Sequence, residues 1–216
     1  MVAQPDAVRG QPRNFIFDFD GTIADSLHVV IDVANDIGGR IGLHVDPDQV
    51  DDYRKMSSLQ VVRHFKLPVW RLPKLMKQGM REFEQRIPSI DTFPGLPEAL
   101  AALQQRGDKL FMLTSNSDEN VREFLRLRKL DGYFTGIYTD SSLFGKASHL
   151  KRIVREQGLV KHDTVYVGDE TRDIQAARRA TLKVVSVAWG FNHESILKKY
   201  RPTYLIHKPA ELLKLP

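Results

Sequence analysis

A series of short apolar runs, each closing on acidic or hydrogen-bonding residues, constrains this chain most. The first is Asn14-Phe15-Ile16-Phe17, which runs into Asp18-Phe19-Asp20-Gly21. Lys109–Thr114 ends in Ser115-Asn116, Thr164–Gly168 ends in Asp169, and Val184–Ala188 ends in Trp189-Gly190. Ile137–Thr139 is a weaker run and Tyr204–Ile206 reads as an edge strand. Short apolar runs bounded by turn residues predict buried strands. Between them lie stretches of helical spacing: Leu96–Gln105, Asp118–Arg128 with Ser117 as its N-cap, Lys146–Gln157, Asp173–Arg179 and His193–Tyr200. Strands alternating with helices predict an α/β fold, a parallel sheet covered on both faces.

The stretch Asp25–Asp91 breaks this rhythm and holds no convincing strand. Ser26–Ile37, Pro47–Tyr53, Ser57–Phe65 and Trp70–Ile87 have amphipathic spacing, bounded by Gly38-Gly39, Asp46-Pro47 and Pro68. Leu75, Met76, Met80, Phe83 and Ile87 form one apolar stripe, expected to be core. The expectation is a helical insert after the first strand. Length agrees: 216 residues is about 1.4 domains at roughly 150 residues each. The organisation predicted is a frayed tail over 1–13, an α/β core made of 14–24 plus 92–216, and a helical insert over 25–91.

Composition excludes several classes. The absence of cysteine removes disulfide scaffolds, cysteine–zinc sites and thiol nucleophiles. A net charge of +5 is dispersed among acids, so it predicts weak attraction for small anions rather than nucleic acid. No stretch of about 18 apolar residues exists, and Met1–Arg13 has no signal-peptide pattern, so a cytoplasmic chain without membrane contact is expected. Gly145-Lys146 lacks the upstream glycine of a P-loop, since Asp140 stands there, and His193-Glu194 lacks the second histidine of a zincin motif.

In open α/β sheets ligands bind at the carboxyl ends of the strands. Those ends carry Asp18 and Asp20, then Thr114, Ser115 and Asn116, then Asp169, Glu170 and Asp173, with Lys146 opening the helix before the fourth strand. Several carboxylates buried together would repel one another and raise each other's pKa. A hard cation resolves this, and an all-oxygen set without His or Cys favours Mg²⁺. One carboxylate of the Asp18/Asp20 pair can attack phosphorus while the other shuttles a proton, and on a straight strand both would face one side. Gly21 allows a sharp bend after them. Thr114, the amides of Ser115 and Asn116, and Lys146 supply donors and charge for a phosphoryl group.

These residues carry a resemblance. Phe17-Asp18-Phe19-Asp20-Gly21-Thr22-Ile23-Ala24-Asp25-Ser26 resembles the opening motif of the haloacid dehalogenase superfamily. Leu110–Thr114 with Ser115-Asn116 is similar to its second motif, Lys146 to its third, and Gly168-Asp169 with Asp173 to its fourth. Val187-Ala188-Trp189-Gly190-Phe191 is similar to the phosphoglycolate phosphatase-like branch. The resemblance implies a Rossmann-like core with an inserted helical cap of the C1 type. It implies Asp18 as nucleophile forming an aspartyl-phosphate, and Asp20 as general acid/base. Thr114 and Lys146 would hold the phosphoryl group, with Gly21, Ser115 and Asn116 binding substrate. Asp18, Asp20 (through its backbone carbonyl), Asp169 and Asp173 would bind Mg²⁺. Ser115 is the alternative to Thr114 in the second motif.

The expected partner is a small phosphorylated metabolite, and the expected assembly a monomer or homodimer. Other readings are a sugar-phosphate phosphatase, a pyrophosphatase or nucleotidase, a phosphoglucomutase-like phosphotransferase and a non-catalytic binding module. Dehalogenation does not need Asp20. The mutase-like branch carries a histidine where Val30 stands, and Ala147 follows Lys146 where proline is common. Arg54, Lys55, Arg63, His64 and Arg71 are the insert's candidates for meeting a substrate carboxylate or second phosphate. The stretch Lys55-Met56-Ser57-Ser58 lies where many relatives carry a glycine.

Overall fold

A computed structural model describes residues 14–39, 44–67, 69–139 and 145–215, the side chains of Val69, Leu72, Pro73 and Met76 excepted. The tail over 1–13, Pro68 and Asp140 lie outside these residues. Six strands form one parallel sheet: β1 (Asn14–Phe17), β2 (Lys109–Thr114), β3 (Gly136–Thr139), β4 (Thr164–Gly168), β5 (Lys183–Val187) and β6 (Tyr204–Ile206). Their order is β3-β2-β1-β4-β5-β6, so the strand order reverses at β1 and β4. The weak run at 137–139 is a strand, and β3 and β6 are the sheet's edges.

Alternation along each strand feeds two cores. Phe15, Phe17, Leu110, Met112, Val165 and Val167 point to one face, against α5 (Leu96–Gln105) and α6 (Asp118–Leu127). Ile16, Phe111, Leu113, Tyr166 and Val184 point to the other, against α7 (Lys146–Glu156), α8 (Thr171–Ala180) and α9 (Glu194–Tyr200). Each large apolar side chain so buried contributes about 1.5–3 kcal/mol. Burial on both faces is why the strands read as continuous apolar runs.

Only helices and turns occupy the described part of 27–89. These are α1 (Leu27–Gly38), α2 (Val50–Arg54), α3 (Ser58–His64) and α4 (Leu72–Glu84), with 3₁₀ turns at Pro47–Gln49, Val69–Arg71 and Ile87–Ser89. The predicted helices over 47–53 and 70–87 are therefore each divided. Proline stands in the first turn of the Pro47–Gln49 and Ile87–Ser89 turns and of α4, where its missing amide costs no intrahelical bond. Ser57 and Gln60 form a capping box that starts α3. In α8, which starts at Thr171, two residues earlier than its spacing predicts, the Asp173 carboxylate accepts from the Glu170 amide. Of the apolar stripe on α4, Phe83 and Ile87 are buried, while Leu75 and Met80 are half-buried and Met76 lies outside the described side chains. No helix among the described residues is long and apolar enough to cross a membrane.

Candidate active site

Register brings the strand ends level. Phe17 pairs with Met112 on one side and Val167 on the other. Asp18 therefore follows one step past the sheet, with Thr114 and Asp169 each two steps past their paired residues. The Asp18 amide still donates to the Val167 carbonyl at 2.8 Å. Beyond it the chain turns: the amides of Thr22, Ile23 and Ala24 all donate to the Phe19 carbonyl. The strand thus ends at Phe17, and strand alternation does not govern where Asp18 and Asp20 point. The turn sends the two carboxylates to different partners.

Asp18 is 3% exposed. Its Oδ1 accepts from the Phe19 amide at 2.8 Å, and its Oδ2 accepts from Lys146 Nζ at 2.5 Å. Lys146 opens α7 and donates as well to Asp173 Oδ1 at 2.7 Å. Asp173 is fully buried, and the Glu170 amide donates to its Oδ2 at 2.9 Å. The Tyr166 hydroxyl donates to its Oδ1 at 3.3 Å. Asp169, also fully buried, accepts from Thr22 Oγ1 at 2.8 Å and from the Phe191 amide at 2.7 Å. Ligand oxygens of Asp18, Asp169 and Asp173 all lie within 4.8 Å of one another.

Close backbone approach makes room for this cluster. Gly21 has φ +72°, and a Cβ there would sit 2.2 Å from Asp169 Oδ2. A Cβ on Gly190 would reach the Asp169 side chain at 2.3 Å. Both positions require glycine on steric grounds, and Gly21 also on conformation.

Asp20 stands apart from the cluster. Ser26 Oγ donates to its Oδ1 at 2.9 Å and Asn116 Nδ2 to its Oδ2 at 3.0 Å. Asn116 is itself fixed, since Asn120 Nδ2 and the Ser117 amide both donate to its Oδ1 at 2.9 Å. The Thr114 hydroxyl is buried and accepts from the Asn116 amide at 3.0 Å. Ser115 is half-buried and lines a cavity beside Asp20. The predicted site residues thus come to one edge of the sheet. Thr22, Tyr166, Asn120, Ser26 and the Phe191 amide are supports that the strand-end pattern does not reveal. Thr22 and Ser26 sit inside the first motif, so the signal was present there; the Phe191 amide has none, because a backbone group leaves no trace in residue type.

Electrostatics divide the acids. Burial pushes Asp18 up to about 7, although Lys146 pulls the other way. Burial, then Glu170, Asp173 and Asp18, raise Asp169 well above the usual carboxylate range. Burial would raise Asp173 too, but Lys146 and Arg172 outweigh it and hold the carboxyl low. Burial raises Asp20 against the hydrogen bonds from Asn116 and Ser26. A raised carboxyl pKa suits a group that must donate a proton.

The sheet order, with an acidic cluster at its point of reversal, defines a Rossmann-like core. The family model described as haloacid dehalogenase-like hydrolase matches residues 15–187. A phosphoglycolate phosphatase of Synechococcus elongatus is 36% identical over 92% of this chain and 94% of its own length. A pyrophosphatase of Bacillus pumilus is 30% identical over 65% of this chain and 67% of its own length. A crystal structure described as a predicted phosphatase from Clostridium acetobutylicum superposes with a TM-score of 0.81, covering 94% of this chain and 97% of the other at 19% identity, a likeness of fold. The chain belongs to the haloacid dehalogenase-like hydrolases and is an enzyme of their phosphatase branch.

Proposed function

We propose that this enzyme is a Mg²⁺-dependent phosphatase that hydrolyses a small phosphate monoester through a phosphoryl group carried on Asp18. The observation that supports it most is the division of the acids. Three carboxylates converge within 4.8 Å of one another, two of them bonded to Lys146, while Asp20 is held separately by Ser26 and Asn116.

The donor set fits a hard divalent cation. It is all oxygen, buried, and has more negative charge than Lys146 alone balances. Asp18, Asp169 and Asp173 would hold Mg²⁺, with the Asp20 carbonyl as the family resemblance implies. When bound, the cation would offset the charge of the phosphate. The Phe19 amide and Lys146 orient the Asp18 carboxylate for attack. A carboxylate oxygen forms the bond to phosphorus, and the ester P–O bond breaks with its electron pair going to the alcohol oxygen. Asp20 gives its proton to that oxygen, then takes one from the water that cleaves the acyl phosphate. Thr114, Ser115 and Asn116, together with Lys146, surround the phosphoryl position with donors.

We assign residues 25–91 as a cap over this site, with 14–24 and 92–216 as the core. At the neck the Asp25 amide donates to the Asp91 carbonyl at 2.9 Å, and Ala24 bridges Thr92. The 54–58 loop is tied to the core: the His193 amide donates to the Arg54 carbonyl, Asn192 Nδ2 to the Arg54 and Met56 carbonyls, and Ser58 Oγ to Glu170. Such contacts suit a lid that excludes water.

The test is hydrolysis of 4-nitrophenyl phosphate with Mg²⁺ and with EDTA. Turnover is expected with Mg²⁺ and none after chelation. Metal-independent turnover, or none across a panel of phosphate esters, would contradict the proposal.

A further inference from the structure

Asp20 looks into a small cavity of about 170 Å³, and the helices facing it across that space contribute Val30, Val33, Gly79, Met80 and Phe83. Its polar walls, Asp20, Ser115 and Asn116, all belong to the core. No cation among the described residues lines it. The insert's candidate cations are engaged or turned elsewhere. Arg54 donates from Nε and Nη2 to the Phe191 and Gly190 carbonyls and from Nη1 to Asp51. Lys55 pairs with Asp52, Arg63 is exposed, His64 packs on Tyr53 and Phe65, and Arg71 lies over Trp70.

Val30 also lines a second cavity of about 330 Å³ on its other side. That one is walled largely by Leu27, Ile31 and Ala34 of α1 and by Val61, Val62 and Phe65 of α3 or its end. Its one cation among the described residues, Arg54, is held by the Phe191 and Gly190 carbonyls and Asp51, and its other polar groups are bonded within the protein: Ser58 to Glu170, Tyr53 to Gln49, and Asn192 to the Arg54 and Met56 carbonyls. The insert therefore presents hydrocarbon on both sides of Val30, next to the residue that would protonate the departing oxygen.

We propose that the leaving-group end of this site takes the uncharged, apolar carbon portion of a phosphate monoester and selects against leaving groups that carry a carboxylate or a second phosphate. This rests on the assignment of Asp18 and Asp20 above. A carboxylate placed against Val30, Val33, Met80 and Phe83 would lose its hydration and gain no partner. A butyl chain there would exchange water for carbon contacts. Phosphoglycolate, a monoester, and pyrophosphate, an anhydride, which appear in the names of two relatives, are the substrates this wall disfavours.

The experiment compares kcat/KM for n-butyl phosphate, 2-phosphoglycolate and pyrophosphate with Mg²⁺, beside 4-nitrophenyl phosphate. Butyl phosphate is expected to exceed both acidic substrates by about tenfold or more, the scale on which an apolar pocket discriminates. Val30→Arg should reverse that ranking, raising phosphoglycolate relative to butyl phosphate by a similar factor. If Val30→Arg fails to fold, Met80→Lys carries the same expectation. Equal or better use of phosphoglycolate or pyrophosphate by the unaltered enzyme would overturn the proposal, as would an unchanged ratio in a folded charged variant. Absence of 4-nitrophenyl phosphate turnover would instead bring down the phosphatase assignment, and the proposal with it.

Discussion

The two sides of the substrate position are built from opposite materials. On the core side, every acid has named donors at 2.5–3.3 Å, and Lys146 sits between two of them. On the insert side, Val30, Val33, Met80 and Phe83 offer contact alone. The core side is specified by hydrogen bonds, which fail abruptly when one partner is lost. The insert side is specified by shape and hydrophobicity, which tolerate exchange of residues of similar volume. The difference separates what the site does from what it does it to: reaction chemistry is fixed on the sheet edge, and selectivity is left to a surface free to vary.

Lys146→Met should break this contrast most severely. It removes the cation bonded to both Asp18 and Asp173 and leaves the two buried acids with Arg172 as their remaining cationic neighbour. Loss of a buried charge partner costs about 3–5 kcal/mol. Urea unfolding should show a fall of that size, and turnover of 4-nitrophenyl phosphate should disappear. A variant as stable as the parent would mean that the two acids do not depend on Lys146.

Next comes the response to metal and pH. Asp18 is pushed up to about 7 and Asp169 is raised, so the metal-free native state keeps protons that the unfolded chain has released. Stability must then fall as pH rises from about 4 through 7. Asp173 is held low, so its contribution is already complete above pH 4. Mg²⁺ requires the deprotonated acids, so its stabilisation should be larger at pH 8 than at pH 6, reaching about 2.7 kcal/mol at a hundredfold excess over Kd. Thermal melts in EDTA and in Mg²⁺ at the two pH values read this directly. A Mg²⁺ shift independent of pH would contradict the raised values.

The smallest effect belongs to the bridge between the two sides. Ser58→Ala removes the 2.8 Å bond to Glu170, worth about 1 kcal/mol, and leaves the phosphoryl site intact. The expected result is a several-fold change in KM with little change in melting temperature. A loss of turnover comparable to that of Lys146→Met would show that the bridge is part of the chemistry.

Legibility in the sequence follows the same division. The strand-end acids stand out because each follows an apolar run, and Asp18, Asp169, Asp173 and Lys146 lie together at that edge of the sheet. The sheet and both flanking layers were readable because two-sided burial leaves continuous apolar strands. The start of α8 lies two residues before its apolar spacing because the Asp173 carboxylate reaches back to the Glu170 amide, a bond that leaves no periodicity signal. Met80 was grouped with a core stripe, yet it faces the cavity beside Asp20. A helical apolar residue gives the same signal whether its neighbour is protein or substrate. Arg54 was a candidate anion ligand by charge, but backbone carbonyls of Gly190 and Phe191 occupy it, partners that carry no sequence signature.

The central claim is that Asp18 receives the phosphoryl group and Asp20 completes the proton transfers. Asp20→Asn should therefore slow breakdown of the phosphorylated enzyme and let it accumulate. The measurement is mass spectrometry of this variant after brief exposure to Mg²⁺ and 4-nitrophenyl phosphate, quenched in acid. One added phosphoryl group is expected on the peptide containing Asp18, lost when Asp18→Asn is combined with Asp20→Asn. Phosphoryl found on another residue, or turnover that persists in Asp18→Asn, would contradict it.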